Sequence, residues 1–213
     1  MHWPIPIDVI RPLVPARLEL DLLDGTAFVG VVPFVMQGVR PRWWPRRLAF
    51  DFLETNVRTY VTHNGRPGVY FFSLDAASSL AVWAARRFWG LPYYRAEMHI
   101  EQTGDEISYR SRRYGSEARL EVRYRLGEML GPSKLGTTEH FVLERYLLFL
   151  EHRQEIYVGQ VHHRPYPAQR AEVLEVDDQL MQAAGLGQIQ EPPELVHFAA
   201  GVDVEVFNIS RAE

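Results

Sequence analysis

Residues 52–61, FLETNVRTYV, decide the fold of this chain because their side chains alternate between two kinds. The polar set is Glu54, Asn56, Arg58 and Tyr60, and the other set is Leu53, Thr55, Val57, Thr59 and Val61. Successive side chains of an extended strand point to opposite sides, so the two sets form separate surfaces. The polar surface either faces water, as is usual for an antiparallel strand, or encloses a ligand.

Extended segments dominate the rest of the chain. Runs that are rich in β-branched and aromatic residues, or that alternate with a period of two, cover residues 26–36, 48–62, 67–75, 93–102, 105–114, 117–126, 155–163, 170–176 and 202–209. The stretch HNGRPG, residues 63–68, predicts a hairpin, since Asn-Gly accepts the positive φ angles of tight turns.

Helices are fewer, and they are predicted over residues 76–90, 137–152 and, as a short third helix, 177–184. Asp75 is the expected N-cap of the first, and Thr137 or Thr138 caps the second. We expect the large aromatic residues of the first helix to lie in the core: Trp83, Phe88 and Trp89. With no repeat or linker, residues 1–213 are predicted to form one β-rich α+β domain, closed or nearly closed into a barrel.

Composition limits what a site can contain. The 213 residues are 46% hydrophobic, which suffices for a substantial core, and cysteine is absent, which removes disulfides and thiolate nucleophiles. The net charge of −4 gives no overall attraction to nucleic acid. Prolines interrupt the N-terminal stretch MHWPIPIDVIRPLVPARL, and no run approaches the ~20 apolar residues of a membrane span. A cytoplasmic location is therefore expected.

Three further patterns are weaker indications of a site. Residues 108–126 interleave Arg with Tyr, as single-stranded nucleic acid sites do, but nearby acidic residues favour a hairpin with cross-strand charge pairs. The stretch VRPRWWPRRL, residues 39–48, is interpreted as a proline-stiffened loop whose tryptophans cover a cavity mouth or pack on the barrel, in preference to a lid, a membrane-touching loop or a partner contact. His162 and His163 are neighbours on a strand, so only one can line a cavity, and His162 is the candidate although the pattern does not choose between them. No ligand spacing indicates a metal site.

The order LETNVRTYV, GRPGVYFFSLDA and RRFWGLPYYRAEM resembles the YqjF-like domain, a family similar to the acetoacetate decarboxylase superfamily. The opening HWPIPIDVIRPLVPARLELDLLDGTAFVGVVPF and the closing VHFAAGVDVEVF fit the same family, so the resemblance covers nearly the whole chain. It implies a β-rich barrel of the acetoacetate decarboxylase type with a central ligand cavity and two or three helices.

The resemblance also carries expectations about chemistry. The decarboxylases have an inward glutamate on the strand that FLETNV resembles, and a Gly-x-Pro-Lys-Lys element whose first lysine forms a Schiff base. Here GLPYY places Tyr93 and Tyr94 at the two lysine positions, and the only lysine, Lys134, lies in a loop flanked by Gly and Pro. Tyrosine cannot form an imine, so Schiff-base decarboxylation is not expected.

The catalytic candidates are Glu54, as a general base, and Tyr93, as a hydrogen-bond donor to a carbonyl or enolate oxygen. The ligand-binding candidates are Asn56, Arg58, Tyr94, Arg95 and His162. Either arginine suits a carboxylate, which it would hold through two parallel hydrogen bonds. The alternative is a buried Glu54–Arg58 pair that only fixes the register of the strand.

Two functions stay open at this point. The first is non-catalytic binding of a small organic molecule, carboxylated or not, in the barrel cavity. The second is a lyase or isomerase of an enolisable keto acid that works without an imine, so the residues leave open whether the protein is an enzyme. No cofactor, metal, nucleic acid or membrane partner is expected. A homodimer through edge strands is compatible with the pattern, although no single motif supports it.

Overall fold

The computed structural model describes residues 1–40 and 44–212. Its strands are β1 His2–Ile5, β2 Glu19–Leu20, β3 Ala27–Val39, β4 Phe50–His63, β5 Arg66–Ala76, β6 Tyr93–Thr103, β7 Glu106–Arg113, β8 Arg119–Pro132, β9 Leu147–His152, β10 Glu155–His163, β11 Pro167–Asp178, β12 His197–Ala199, β13 Val204–Val206 and β14 Ser210–Arg211. The α-helices are α1 Ile7–Ile10, α2 Ser79–Ala84, α3 Thr138–Leu143 and α4 Leu180–Ala183. The prediction of a strand-rich α+β fold is confirmed.

The main path through the sheet is β1-β3-β4-β5-β6-β7-β8-β11-β12. Most neighbours are antiparallel, and the predicted hairpin joins β4 to β5 through Asn64 and Gly65, both at positive φ. β5 and β6 are parallel, so their connection must cross over the sheet, and α2 provides that crossover. β9 pairs with both β5 and β10, and β10 also pairs with β13 and β14.

The two ends of this path meet at a seam formed by β1 and the residues before β12. The ladder of paired strands described here does not close, but His2 and Leu195 form an isolated antiparallel bridge. The His2 amide donates to the Leu195 carbonyl at 2.9 Å, and the Glu194 amide donates to the His2 carbonyl at 2.9 Å. The sheet is therefore nearly closed, which is the second of the two predicted alternatives, a closed or a nearly closed barrel.

The odd-numbered and even-numbered residues of β4 face different apolar clusters. Val57 and Val61 belong to the largest cluster, together with Leu120 and Val122 of β8. Tyr60 belongs to a separate cluster with residues of β3, β5 and α3. The main core thus lies on the apolar side of the strand, and the polar side is covered by other elements.

The helical crossover differs from the sequence prediction in its cap and in its burial. Ser78, and not Asp75, is the N-cap of α2, and its hydroxyl accepts from the Ala81 amide at 3.2 Å. α2 continues as a π-helical turn, Ala85–Trp89, which ends at Gly90 with φ 65°. The expectation of core aromatics is wrong, because Trp83, Phe88 and Trp89 are 57%, 64% and 43% exposed. The spacing of the aromatic residues predicts an apolar face on the helix, but it does not determine whether another element packs against that face.

The second predicted helix is much shorter than expected. Thr137 is its N-cap, as predicted, but α3 ends at Leu143 and the following apolar run LLFLEH forms β9. A short apolar run suits either a helix or a strand, and pairing with β5 and β10 decides for the strand here. The third predicted helix is confirmed over Leu180–Ala183. Trp43 of the 39–48 stretch lies outside the described residues.

The Arg/Tyr-rich stretch forms the antiparallel pair β7 and β8, as predicted. Arg123 and Arg125 both contact Glu106 across the strands, at 3.1 and 2.6 Å. The hairpin with cross-strand charge pairs is therefore confirmed.

Candidate functional site

The polar side of β4 is buried, which answers the question raised by residues 52–61. Glu54, Asn56 and Tyr60 are 3%, 4% and 1% exposed, and Arg58 is partly buried. Burying four polar side chains is costly unless each finds a partner. Their partners therefore define what this surface can do.

Glu54 is held by Tyr93, the first residue of β6. The Tyr93 hydroxyl donates to Glu54 Oε2 at 2.9 Å. Burial raises the pKa of Glu54 to about 8, and the nearby Asp75 carboxylate adds to this rise, while the Tyr93 hydrogen bond opposes it. The Glu54 carboxyl is therefore mainly protonated at neutral pH. Burial, together with Glu54, also raises the pKa of Tyr93 well above its usual value.

Strand register explains why these two residues meet. Glu54 lies opposite Ala76 of β5, and Leu74 of β5 lies beside Tyr93 of β6. These residues share one face of the sheet, since paired positions point to the same side. The crossover helix fixes the start of β6, because Arg86 Nε donates to the Tyr93 carbonyl at 2.5 Å.

Tyr94 lies on the opposite face and takes part in a second buried pair that the sequence prediction missed. Arg113 Nη2 is 2.8 Å from Asp75 Oδ1, and the two side chains are 8% and 0% exposed. The Arg113 guanidinium stacks 3.8 Å from the centre of the Tyr94 ring. Burial raises the pKa of Asp75, and Arg113 opposes that rise. Adjacent residues of a strand alternate in direction, so Tyr93 and Tyr94 cannot serve one site.

A hydrogen-bond chain between the two faces includes the backbone of Glu54. The Tyr109 hydroxyl donates to the Glu54 carbonyl at 3.0 Å, and the Thr55 hydroxyl donates to the Tyr109 oxygen at 3.0 Å. Tyr109 is 1% exposed and belongs to the main core. The position of Glu54 is therefore fixed from both sides of the sheet.

Asn56 follows Glu54 on the same face and carries an unpartnered acceptor. Within residues 1–40 and 44–212, Asn56 Oδ1 is buried without a hydrogen-bond partner. Two positions further, Arg58 does not pair with Glu54: its Nη2 donates to the Val142 carbonyl of α3 at 3.0 Å. The alternative of a register-fixing Glu54–Arg58 ion pair is therefore wrong.

The other predicted ligand-binding residues lie elsewhere. Arg95 is exposed and stacks on the Tyr114 ring at 4.7 Å. His162 is exposed on β10, where it lies opposite Glu205. His163 is the buried member of the pair, and its ring stacks 4.6 Å from the Tyr146 ring. The structure thus brings Glu54, Tyr93, Asn56 and Arg58 to one face. Arg95 shares that face by register, but its side chain is exposed, and Tyr94 and His162 lie elsewhere.

Two surface grooves lie away from the polar face. One, of about 410 Å³, is lined by the 11–16 segment with Tyr70 and Glu151. The other, of about 300 Å³, lies between β9, β10 and the C-terminal strands, where Gln160 and Phe207 are among its walls. A central cavity on the polar face therefore stays a prediction.

Metal and membrane features are limited in the described part of the chain. Nowhere in residues 1–40 and 44–212 do three His, Asp or Glu side chains gather as metal ligands. No helix in those ranges has the length and apolar character needed to cross a membrane.

Comparison with known proteins identifies the family of the chain. Residues 1–203 match the model of the DUF2071 family, described as an uncharacterized conserved protein. The chain belongs to the DUF2071 family. A family relative, the uncharacterized protein YqjF of Bacillus subtilis (strain 168), is 38% identical over 205 residues, which cover 95% of this chain and 84% of YqjF. The predicted membership of the YqjF-like family is confirmed.

Solved structures similar to this family member share the acetoacetate decarboxylase-like fold. Acetoacetate decarboxylase from Legionella pneumophila has a TM-score of 0.64 at 12% identity, covering 100% of this chain and 82% of its own. An acetoacetate decarboxylase-like enzyme from Sphingomonas wittichii RW1 has a TM-score of 0.64 at 12% identity, with coverages of 100% and 89%. The enduracididine biosynthesis enzyme MppR, complexed with pyruvate, has a TM-score of 0.63 at 13% identity, with coverages of 99% and 85%. At these identities the likeness shows the fold alone.

Proposed function

We propose that the protein binds a small organic molecule on the polar face of β4, at Glu54, Tyr93 and Asn56, without Schiff-base chemistry. One observation carries the proposal: Asn56 Oδ1 is buried and, in the described residues, has no hydrogen-bond donor beside it. An unpartnered buried acceptor costs about 1–3 kcal/mol, so a protein retains it where something else supplies the donor. A bound molecule would supply that donor.

The protonation state of the site defines the ligand chemistry. Glu54 is mainly protonated at neutral pH, because its pKa is raised to about 8. One carboxyl oxygen accepts from Tyr93, so the acid hydrogen can be donated to a ligand oxygen. Asn56 Oδ1 requires a hydroxyl or N–H group in return. The site therefore suits a small uncharged group that carries both an acceptor and a donor.

The absence of an amine in the site supports binding without an imine. Lys134, the only lysine of the sequence, is exposed in the loop before α3. Tyr93 lies where the resemblance places the Schiff-base lysine, and it donates to Glu54. An amine nucleophile must lie within the site to condense with a carbonyl, and no other side chain of this chain supplies one.

A metabolite library screened by thermal unfolding tests the binding proposal. A ligand present at 100 times its Kd should stabilise the protein by about 2.7 kcal/mol. Asn56→Leu should keep or raise the melting temperature of the free protein, since it removes an unpartnered buried acceptor, and it should abolish the ligand response. Glu97→Gln, an exposed change on β6, is the control and should respond as the wild type does. A library without any hit would refute the proposal.

The second candidate is a lyase or isomerase that acts on an enolisable keto acid with Glu54 as general base. The raised pKa of Glu54, about 8, favours it, because a base is most effective when its pKa is near the working pH. MppR, one of the structural neighbours, is complexed with pyruvate, a keto acid of this kind. Over a panel of β-keto acids, the rate should rise with pH through a midpoint near 8, and Glu54→Gln should remove that rise. If neither the wild type nor Glu54→Gln acts on any β-keto acid of the panel, the enzyme hypothesis is wrong.

The remaining parts of the proposal concern the setting of the protein. We take residues 1–213 as one domain, because His2 near the start bridges Leu195 near the end. A cytoplasmic location fits a chain without cysteine, and no cofactor is required by the groups at the site. Sedimentation at two protein concentrations would detect a homodimer.

A further inference from the structure

A second group of unpartnered polar atoms lies further along the same strand, at His2 and Arg58. His2 is 2% exposed, and within the described residues neither of its ring nitrogens makes a hydrogen bond of good geometry. Arg58 Nε is also buried, and within the same part of the chain it makes no hydrogen bond. Buried polar groups without partners are rare, and two neighbouring side chains that share this condition point to a bound group.

Strand register places the two side chains side by side. His2 of β1 lies opposite Gly30 of β3, and Gly30 lies opposite Arg58 of β4. A Cβ added at Gly30 would lie 3.0 Å from the His2 ring and 3.5 Å from Arg58 Cγ. Because Gly30 has no side chain, the His2 imidazole can lie over it, beside the Arg58 side chain.

Arg58 carries a charge that no carboxylate balances. Among the ion pairs of residues 1–40 and 44–212 none includes Arg58, and its partners are the Val142 carbonyl at 3.0 Å and the Tyr60 ring at 5.8 Å. The nearby Glu144 is already engaged, since it accepts from the Tyr146 hydroxyl at 2.7 Å and from the Tyr166 amide at 2.9 Å. A partly buried guanidinium without a counter-charge favours an anion.

His2 complements the arginine as a neutral donor. Burial lowers the pKa of His2 well below its usual value, the N-terminal amine and then the Arg58 charge lower it further, and the nearby Leu195 carbonyl opposes the change. A neutral imidazole has one N–H donor and one acceptor. Arg58 Nε–H and one N–H of His2 can then donate to the two oxygens of the same anion.

We propose that His2 and Arg58, under helix α3, form a binding site for a small oxyanion, a carboxylate or a phosphate. This site goes beyond the proposed function. Arg58 lies four residues from Glu54, about 13 Å along an extended strand. Its ligand is charged, whereas the Glu54 site presents uncharged groups. Either site can therefore exist without the other.

Thermal unfolding in acetate and in inorganic phosphate, at constant ionic strength with chloride as the reference salt, tests the site. We expect a saturable rise in melting temperature with one anion, or with both, that equal chloride does not produce. The anion that saturates at the lower concentration identifies the chemistry. Equal behaviour of acetate, phosphate and chloride would overturn the proposal.

Two variants and one control assign the effect to these residues. Arg58→Gln and His2→Phe should each weaken anion binding by about 10-fold or more, because each removes a donor. His2→Phe replaces the imidazole with another aromatic ring and does not remove the Arg58–Val142 hydrogen bond. This variant therefore remains informative if Arg58→Gln does not fold. Arg95→Gln, at an exposed arginine of β6, should bind the anion as the wild type does. Unchanged affinity in His2→Phe would overturn the proposal.

Discussion

Two buried carboxyl groups lie on opposite faces of the same patch of sheet, and their environments differ. Asp75 faces the Arg113 guanidinium at 2.8 Å, whereas the Glu54 carboxyl accepts from the Tyr93 hydroxyl at 2.9 Å and has no cation paired with it among the described residues. Burial raises both pKa values, but Asp75 has a cation that opposes the rise and Glu54 has a neighbouring acid that adds to it. The comparison separates a carboxyl group held in a buried ion pair from one that burial keeps protonated at neutral pH.

The largest effect is expected when the Asp75 pair is broken. Arg113→Met leaves the Asp75 carboxylate buried without a cation, which should lower the free energy of unfolding by about 3–5 kcal/mol. Urea unfolding measures this loss. Adding Asp75→Leu to Arg113→Met should restore most of it, because both charges are then gone. A loss below about 1 kcal/mol in the single variant would show that Asp75 is not ionised.

The Glu54 side of the comparison predicts a pH dependence of stability. The unfolded carboxyl ionises near 4.5, but the folded one keeps its proton up to about 8. The folded state therefore binds the extra proton between these values, and the free energy of unfolding falls as pH rises, by up to about 1.4 kcal/mol per pH unit. Asp75 and Asp178 also have raised pKa values, so the slope assigned to Glu54 is the difference between wild type and Glu54→Gln. Parallel curves for the two proteins from pH 6 to 7 would contradict this.

Removing the Tyr93 hydroxyl should change both the stability and the pH dependence of the protein. Tyr93→Phe should cost about 1–3 kcal/mol, because Glu54 loses its donor in a buried position. The same change should move the pH step of Glu54 above 8, since the Tyr93 hydrogen bond holds that pKa down. Urea unfolding at several pH values measures both effects. Tyr94→Phe, which keeps the ring that Arg113 stacks on, is the matched control and should leave the step in place.

The smallest effect is expected at the exposed crossover helix. Trp83→Ser should change the free energy of unfolding by less than about 0.5 kcal/mol, because the side chain is 57% exposed. A loss of several kcal/mol would show that another surface covers the helix in solution.

The sequence predicted one half of this comparison and missed the other. The alternation of residues 52–61 and the GLPYY element led to Glu54 and Tyr93, which the structure brings into contact. Asp75 was interpreted as a helix cap because it precedes a helical pattern, although its β5 neighbours also extend the strand. Its partner Arg113 is 38 residues away, and no local pattern connects them.

Alternation along β6 places Tyr93 and Tyr94 on opposite faces of the sheet. Neighbouring strand residues point to opposite sides, which is the rule that also separates His162 from His163. The two tyrosines at the lysine positions of the resemblance therefore cannot serve one site. The position of Arg58 beside His2 depends instead on pairing between β1, β3 and β4, and local periodicity cannot specify which strands become neighbours.

The bridge between His2 and Leu195 has a consequence for folding. The strand that contains His2 cannot complete the sheet until the segment around Leu195 has been synthesised and has left the ribosomal exit tunnel. Contacts between such distant positions slow folding and leave strand edges uncovered meanwhile. In the native state we expect the backbone amides at this isolated bridge to exchange with solvent faster than those of the long ladder between β3 and β4, because the bridge needs less local unfolding to open.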